Sequence, residues 1–296
     1  MNAFDLTGKT ILVTGASSGL GRQTAITASE YGAKMVITGR DATRLEATYA
    51  QLKGEGHLMV LADLTLEEDV AKLVAALPVL NGVVHSTGIS DLSPARFINS
   101  ESIAKTFSIS FDAPVLLTAA LLGKKKLQKN KCSVVFISTI SIRYPFVGGS
   151  MYIAARAALE AYARVLALEL APKGIRVNCV APAFVRTPML DQTATKYSQQ
   201  AVDQIENRQI LGLGDPEDSG QFHNFLSYRC LKMGKCNQFN TGRRLMLKNA
   251  SGFYSRQNQI QILNGVLNAF IIFGKKILSI SQFICNPKST CPIIPS

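Results

Sequence analysis

Tyr152, Arg156 and Thr139 are residue types that bind or exchange protons, and their spacing can bring them to one cleft. Tyr152 and Arg156 lie four residues apart in a helical pattern over about residues 149–170, so a phenol and a guanidinium share a face at its start. Thr139 stands thirteen residues before Tyr152, just past a strand-like run, where its hydroxyl can meet the phenol over the same cleft. Taken alone, the set reads more simply as a tyrosine packed on an alkyl stem, with an unrelated turn threonine. A second cluster, residues 14–21, reads Thr-Gly-Ala-Ser-Ser-Gly-Leu-Gly directly after the apolar run Thr10-Ile11-Leu12-Val13. Gly15, Gly19 and Gly21, with Ser17, Ser18 and Leu20 between them, allow a tight turn into a helix whose free N–H groups face a pyrophosphate. The alternatives here are a dinucleotide site and an ordinary glycine-rich turn.

Both clusters need a scaffold, and the first 180 residues supply the pattern for one. Short β-branched runs at 11–14, 34–38, 57–61, 82–85, 133–138 and 176–180 alternate with longer amphipathic segments. Such alternation predicts right-handed βαβ units, a parallel sheet covered on both faces, and a ligand at the carboxyl ends of the strands. Small or polar residues follow each run, among them Gly39-Arg40-Asp41, Ala62-Asp63, Ser86-Thr87-Gly88 and Ala181-Pro182.

Composition narrows the class further. Apolar residues make up 47% of the chain, enough for a core, and six cysteines without C-x-x-C spacing argue for reduced thiols and no metal site. The polar start shows no signal pattern, so a cytoplasmic protein is expected. The net charge of +12 is uneven: residues 1–218 hold 22 Lys/Arg against 20 Asp/Glu, whereas the last 78 hold ten Lys/Arg and no acid. That tail has no nucleic-acid motif, and its 13-residue apolar stretch at 262–274 is too short to span a bilayer. Neither a nucleic acid nor a membrane is expected as a partner.

In order along the chain, residues 14–21, Asp63-Leu64, Ser86-Thr87-Gly88, Tyr152 with Arg156, and Ile175-Arg176-Val177-Asn178 with Ala181-Pro182 resemble the landmarks of the short-chain dehydrogenase/reductase family. The resemblance covers about residues 5–218. It implies a Rossmann-like, doubly wound α/β fold and reversible hydride transfer between a nicotinamide and a carbonyl or alcohol carbon. A carbonyl accepting hydride develops negative charge on oxygen and needs a proton donor plus a second hydrogen bond. By resemblance these are Tyr152 and Thr139, with Ser138 and Ser141 as alternatives to the threonine. Arg156 stands where the family has lysine: it keeps the charge but does not readily release a proton. Ser110 replaces an asparagine of the proton path, and Ala183 a glycine near the nicotinamide carboxamide. These departures leave a catalytically impaired nucleotide-binding homologue as the alternative to a working enzyme.

NADP(H) is expected over NAD(H), because Gly39-Arg40 presents an arginine and no carboxylate where NAD-preferring sites hold an acid. Asp63 is expected to face the adenine region and Ser86, Thr87 and Gly88 to line the path toward the nicotinamide, with Leu64 and Pro182 as further cofactor-binding candidates. The substrate is a small carbonyl or alcohol, covered by a lid at about residues 186–213.

After Asp218 the family's closing helix, strand and Asp-Gly-Gly are missing. Reading one base out of frame from Ser219 permits a phrase ending Asn-Leu-Ile-Leu-Asp-Gly-Gly, and the overlapping Met233 and Gly234 codons then give tryptophan, a residue the chain lacks. Residues 219–296 therefore read as an out-of-frame tail, with a divergent extension as the alternative. The sheet edge beyond 176–180 is expected to lie uncovered, removing a surface through which the family forms homo-oligomers.

Overall fold

Each β-branched run becomes a strand within one residue of its expected bounds. The computed structural model describes residues 5–191, 209 and 212–218, and the backbone of 238–240, 270–273 and 276–279. The rest of the lid, at 192–208, 210 and 211, and the site of the shifted closing helix lie outside the described residues.

Six strands come from the body: β1 Thr10–Thr14, β2 Lys34–Gly39, β3 Leu58–Leu61, β4 Gly82–His85, β5 Ser133–Ile137 and β6 Arg176–Ala181. They pair in parallel in the order β3-β2-β1-β4-β5-β6. Side chains alternate along a strand, so one sheet has two buried faces. Leu12, Val36, Val83, Val134 and Phe136 point to one side, where they meet α3 (Glu67–Ala76), α5 (Ala113–Gly123) and α6 (Ser150–Leu170). Ile11, Val13, Met35, Ile37 and Val135 point to the other, against α1 (Gly19–Glu30) and α2 (Ala42–Tyr49). The order reverses between β1 and β4, which opens a crevice at their carboxyl ends.

Residues Ser100–Gly123 run as one helix, with α4 (Ser100–Phe107), a π-helical segment (Ser108–Asp112) and α5 in succession. By length and mean hydropathy, 1.5, this helix qualifies to cross a membrane. In the fold it is a core helix, with Ala113, Leu117 and Leu121 buried against the sheet.

The expected bare edge is corrected. A three-residue strand, β7 (Gln238–Asn240), pairs in parallel with Cys179, Val180 and Ala181 of β6. Its Gln-Phe-Asn sequence carries no strand signal, and the backbone hydrogen-bonding capacity of β6 makes the pairing. A second unit, residues 247–296, contains an antiparallel pair, β8 (Phe270–Phe273) and β9 (Lys276–Ser279).

Candidate active site

A groove of about 420 Å³ follows the crevice, lined from Arg40 and Asp63 at one end to Tyr152, Arg156 and Met189 at the other. Its floor is the turn between β1 and α1. Gly15 has φ +64°, and a Cβ on Gly21 would stand 2.3 Å from the Gly15 carbonyl, so the helix can start this close to the strand only without side chains. Ser17, Ser18, Gly19 and Leu20 face the groove. Ser18 makes no capping bond and the first turn of α1 holds no acid, which leaves the helix N-terminus positive toward the groove.

At one end, Arg40 lies 3.9 Å from Asp63 and is largely exposed. Burial alone would raise the Asp63 carboxyl, but hydrogen bonds from the Thr65 hydroxyl and amide and the Arg40 charge outweigh it, so it titrates below its ordinary value. Leu64 is buried beneath it and also lines the groove. The sequence reading misses Arg44. This second guanidinium reaches the groove from the first turn of α2, held 2.8 Å from Asp41, whose carboxylate also caps that helix. The signal was its position four residues after Arg40.

In the middle, Ser86, Thr87 and Gly88 follow β4 and line the wall. The Ser86 amide donates to Thr14 Oγ1 at 3.1 Å, fixing this wall to β1. At the far end, Tyr152 and Arg156 are side by side: the guanidinium carbon is 5.7 Å from the phenol ring centroid. Arg156 is only 3% exposed, and its Nη2 donates to the Thr87 carbonyl at 3.2 Å. Its Nε and Nη1, like Ser17 Oγ and Thr87 Oγ1, are buried without a protein partner. Buried donors left unmade are costly, so these groups suit a ligand rich in hydroxyl and phosphate oxygens. A dinucleotide fits that set: the α1 N-terminus for its pyrophosphate, Arg40 and Arg44 at one end, Arg156 at the other.

Not every expected residue reaches the groove. Thr139 is 6% exposed and caps a 3-10 turn (Ile140–Ile142); its Oγ1 accepts from the Ser141 amide and donates to Ser141 Oγ at 3.1 Å. Ser138 donates at 2.5 Å to buried Glu160 of α6, tying the end of β5 to that helix. Ser110 is fully buried in the π-helical segment, where its Oγ accepts from the Ile89 amide at 3.3 Å. It thus holds the loop that carries Gly88. The Pro182 carbonyl accepts from the Ile140 amide at 2.9 Å, and the groove contact from this loop comes instead from Thr187, Pro188 and Met189. Ile89, Ser90, Lys105 and Ile109 are among the other lining residues; their sequence context carries no motif that marks them. Among the described residues, no three His, Cys, Asp or Glu side chains gather as metal ligands.

Comparison with known proteins agrees with the fold. The family model for short chain dehydrogenases matches residues 9–198. A 3-oxoacyl-acyl-carrier-protein reductase of Rickettsia prowazekii is 32% identical over 216 residues, covering 73% of this chain and 87% of its own length. A solved short chain dehydrogenase/reductase family protein superposes with TM-score 0.68 at 30% identity, covering 80% of this chain and 98% of its own. A crystal structure from Beutenbergia cavernae, with NADP bound at low occupancy, shares the fold at TM-score 0.71 and 24% identity, over 81% of this chain and 98% of that one.

Proposed function

The chain belongs to the short-chain dehydrogenase/reductase family, and we propose that within it this protein is an NADP(H)-dependent oxidoreductase acting on a small carbonyl or alcohol. The observation that carries the reading is one groove with Arg40 and Arg44 at one end and the Tyr152–Arg156 pair at the other. A 2′-phosphate at the first end takes charge-assisted hydrogen bonds from guanidinium groups, and Gly39 adds no repelling carboxylate.

Bound NADP(H) supplies hydride transfer between its nicotinamide and the substrate carbon. In the reductive direction Tyr152 gives its phenolic proton to the oxygen on which negative charge develops. Arg156, held by the Thr87 carbonyl, stabilises the phenolate left behind, and as a permanent cation it does so without passing on a proton. Thr139 stands at the position that by resemblance gives the second hydrogen bond to that oxygen, but its hydroxyl is turned to Ser141 and does not line the groove, so the second hydrogen bond is not assigned to it. Relatives named as reductases of 3-oxoacyl chains support a carbonyl substrate. A cytoplasmic location belongs to this reading; homo-oligomers belong to the family, but residues 219–296, read as an out-of-frame replacement of its usual ending, replace a surface through which they form.

The test is titration with NADPH and NADH, followed by a panel of carbonyls and alcohols assayed in both directions. NADPH binding with turnover of at least one carbonyl supports the reading; tight NADPH binding with no turnover in either direction selects the binding homologue.

A further inference from the structure

Gln209 is 6% exposed, and its side-chain amide makes three hydrogen bonds to backbone among the described residues. Its Oε1 accepts from the Phe184 amide at 2.7 Å, and its Nε2 donates to the Phe184 carbonyl at 3.1 Å and to the Gly212 carbonyl at 3.0 Å. One side-chain amide thus pairs with both backbone groups of Phe184, as a neighbouring strand would. The pairing continues beside it: the Gly214 amide donates to the Phe184 carbonyl at 3.0 Å and the Arg186 amide to the Gly214 carbonyl at 2.9 Å.

The clamped segment leads directly into the groove. Three residues after Phe184, the Thr187 methyl carbon lies 3.4 Å from where a Cβ on Gly19 would stand, so this loop crosses to the start of α1. Thr187, Pro188 and Met189 then line the groove. On the other side, the Phe184 ring packs 5.7 Å from Phe146, whose ring touches the space above Gly149, the residue before α6. Gln209 therefore anchors the loop that follows β6, at the opposite side of the sheet from β2 and β3, whose ends carry Arg40 and Asp63, and this loop lines the groove after reaching the start of α1.

We infer that Gln209 is a positioning residue: by holding Phe184 it sets the loop over the nicotinamide half of the bound dinucleotide, without contributing to the adenine half. The inference rests on the groove being the NADP(H) site. Methionine has the length and volume of glutamine but cannot make the paired bonds, so Gln209→Met removes the clamp while keeping the packing.

The experiment measures dissociation constants of the full chain for NADPH and for 2′,5′-ADP, which ends at the 5′-phosphate and has no nicotinamide half. Gln209→Met weakens NADPH by about tenfold and 2′,5′-ADP by less than about twofold. Hydrogen exchange over residues 183–189 accelerates in the variant, while residues 10–20 exchange as before. Gln209→Asn keeps the amide one methylene short of Phe184 and gives the same separation if the methionine variant folds poorly. Equal weakening of both ligands, or none of either, overturns the inference while leaving the cofactor site standing. Failure of the unmodified chain to bind either ligand overturns the cofactor reading and the inference with it.

Discussion

Arg156 occupies the space that a side chain at position 88 would need: a Cβ on Gly88 would stand 1.8 Å from its Nη2. The guanidinium is thereby wedged between the β4 loop and the Tyr152 ring, with its Nε and Nη1 buried and without a protein partner. Gly88 is a glycine for room, since its backbone is not in the left-handed region.

Gly88→Ala is expected to push the end of the Arg156 side chain out of place, leaving the fold nearly intact because that end is flexible. Thermal unfolding should shift little, while NADPH affinity and turnover fall by about tenfold or more, within the span of one charge-assisted hydrogen bond. A large drop in melting temperature with unchanged affinity would show that Gly88 matters for packing alone.

Arg40→Asp is expected to reverse the cofactor preference. A hydrogen bond to a charged group contributes about 1.5–3 kcal/mol, which corresponds to roughly 10- to 100-fold in affinity. Dissociation constants for NADPH and NADH read the effect. Equal constants in the unmodified chain, or no change in the variant, would remove Arg40 from the discrimination.

His85 predicts an acid limb in stability. It is fully buried and stacked on Phe136 at 4.8 Å. Thr118 Oγ1 donates to the Pro114 carbonyl and so accepts from His85 Nε2 at 3.0 Å, while Nδ1 has no partner. Burial pushes its pKa down from 6.5 to about 3. Between those values the unfolded chain binds more protons than the folded one, so stability falls as the pH drops from about 6.5 toward 3. The slope from this group is at most about 1.4 kcal/mol per pH unit, and urea unfolding across this range should show a flatter limb in His85→Gln. An unchanged slope would place the acid sensitivity elsewhere.

The strands are legible because runs such as Thr10–Thr14 and Ser133–Ile137 are buried on both faces, so that their inner residues, Ile11 to Val13 and Val134 to Ile137, are consecutively apolar. The turn at Gly15 to Gly21 and the Tyr152–Arg156 pair are legible because backbone geometry and helical spacing alone bring their residues together. Other features depend on contacts that sequence spacing does not encode. Thr139 turns to Ser141 because a 3-10 turn presents that amide. Ser110 acts on the Ile89 loop across the fold, and Gln209 reaches Phe184 over 25 residues of chain.

The tail has a direct test in the coding DNA. The codons from Ser219 onward are expected to permit the shifted phrase through position 244, and a version of the protein carrying that phrase should melt higher and assemble into a defined oligomer. Codons incompatible with the phrase would make residues 219–296 a genuine extension.

Hydride transfer with Tyr152 as proton donor is measured most directly by following NADPH consumption and alcohol formation together, with carbonyl substrates, in the unmodified chain and in Tyr152→Phe. That role requires one alcohol formed per NADPH consumed by the unmodified chain, and at least a hundredfold loss in the phenylalanine variant, the low end of what a general acid supplies. Full activity in Tyr152→Phe would contradict it, as would a chain that binds NADPH and reduces no carbonyl.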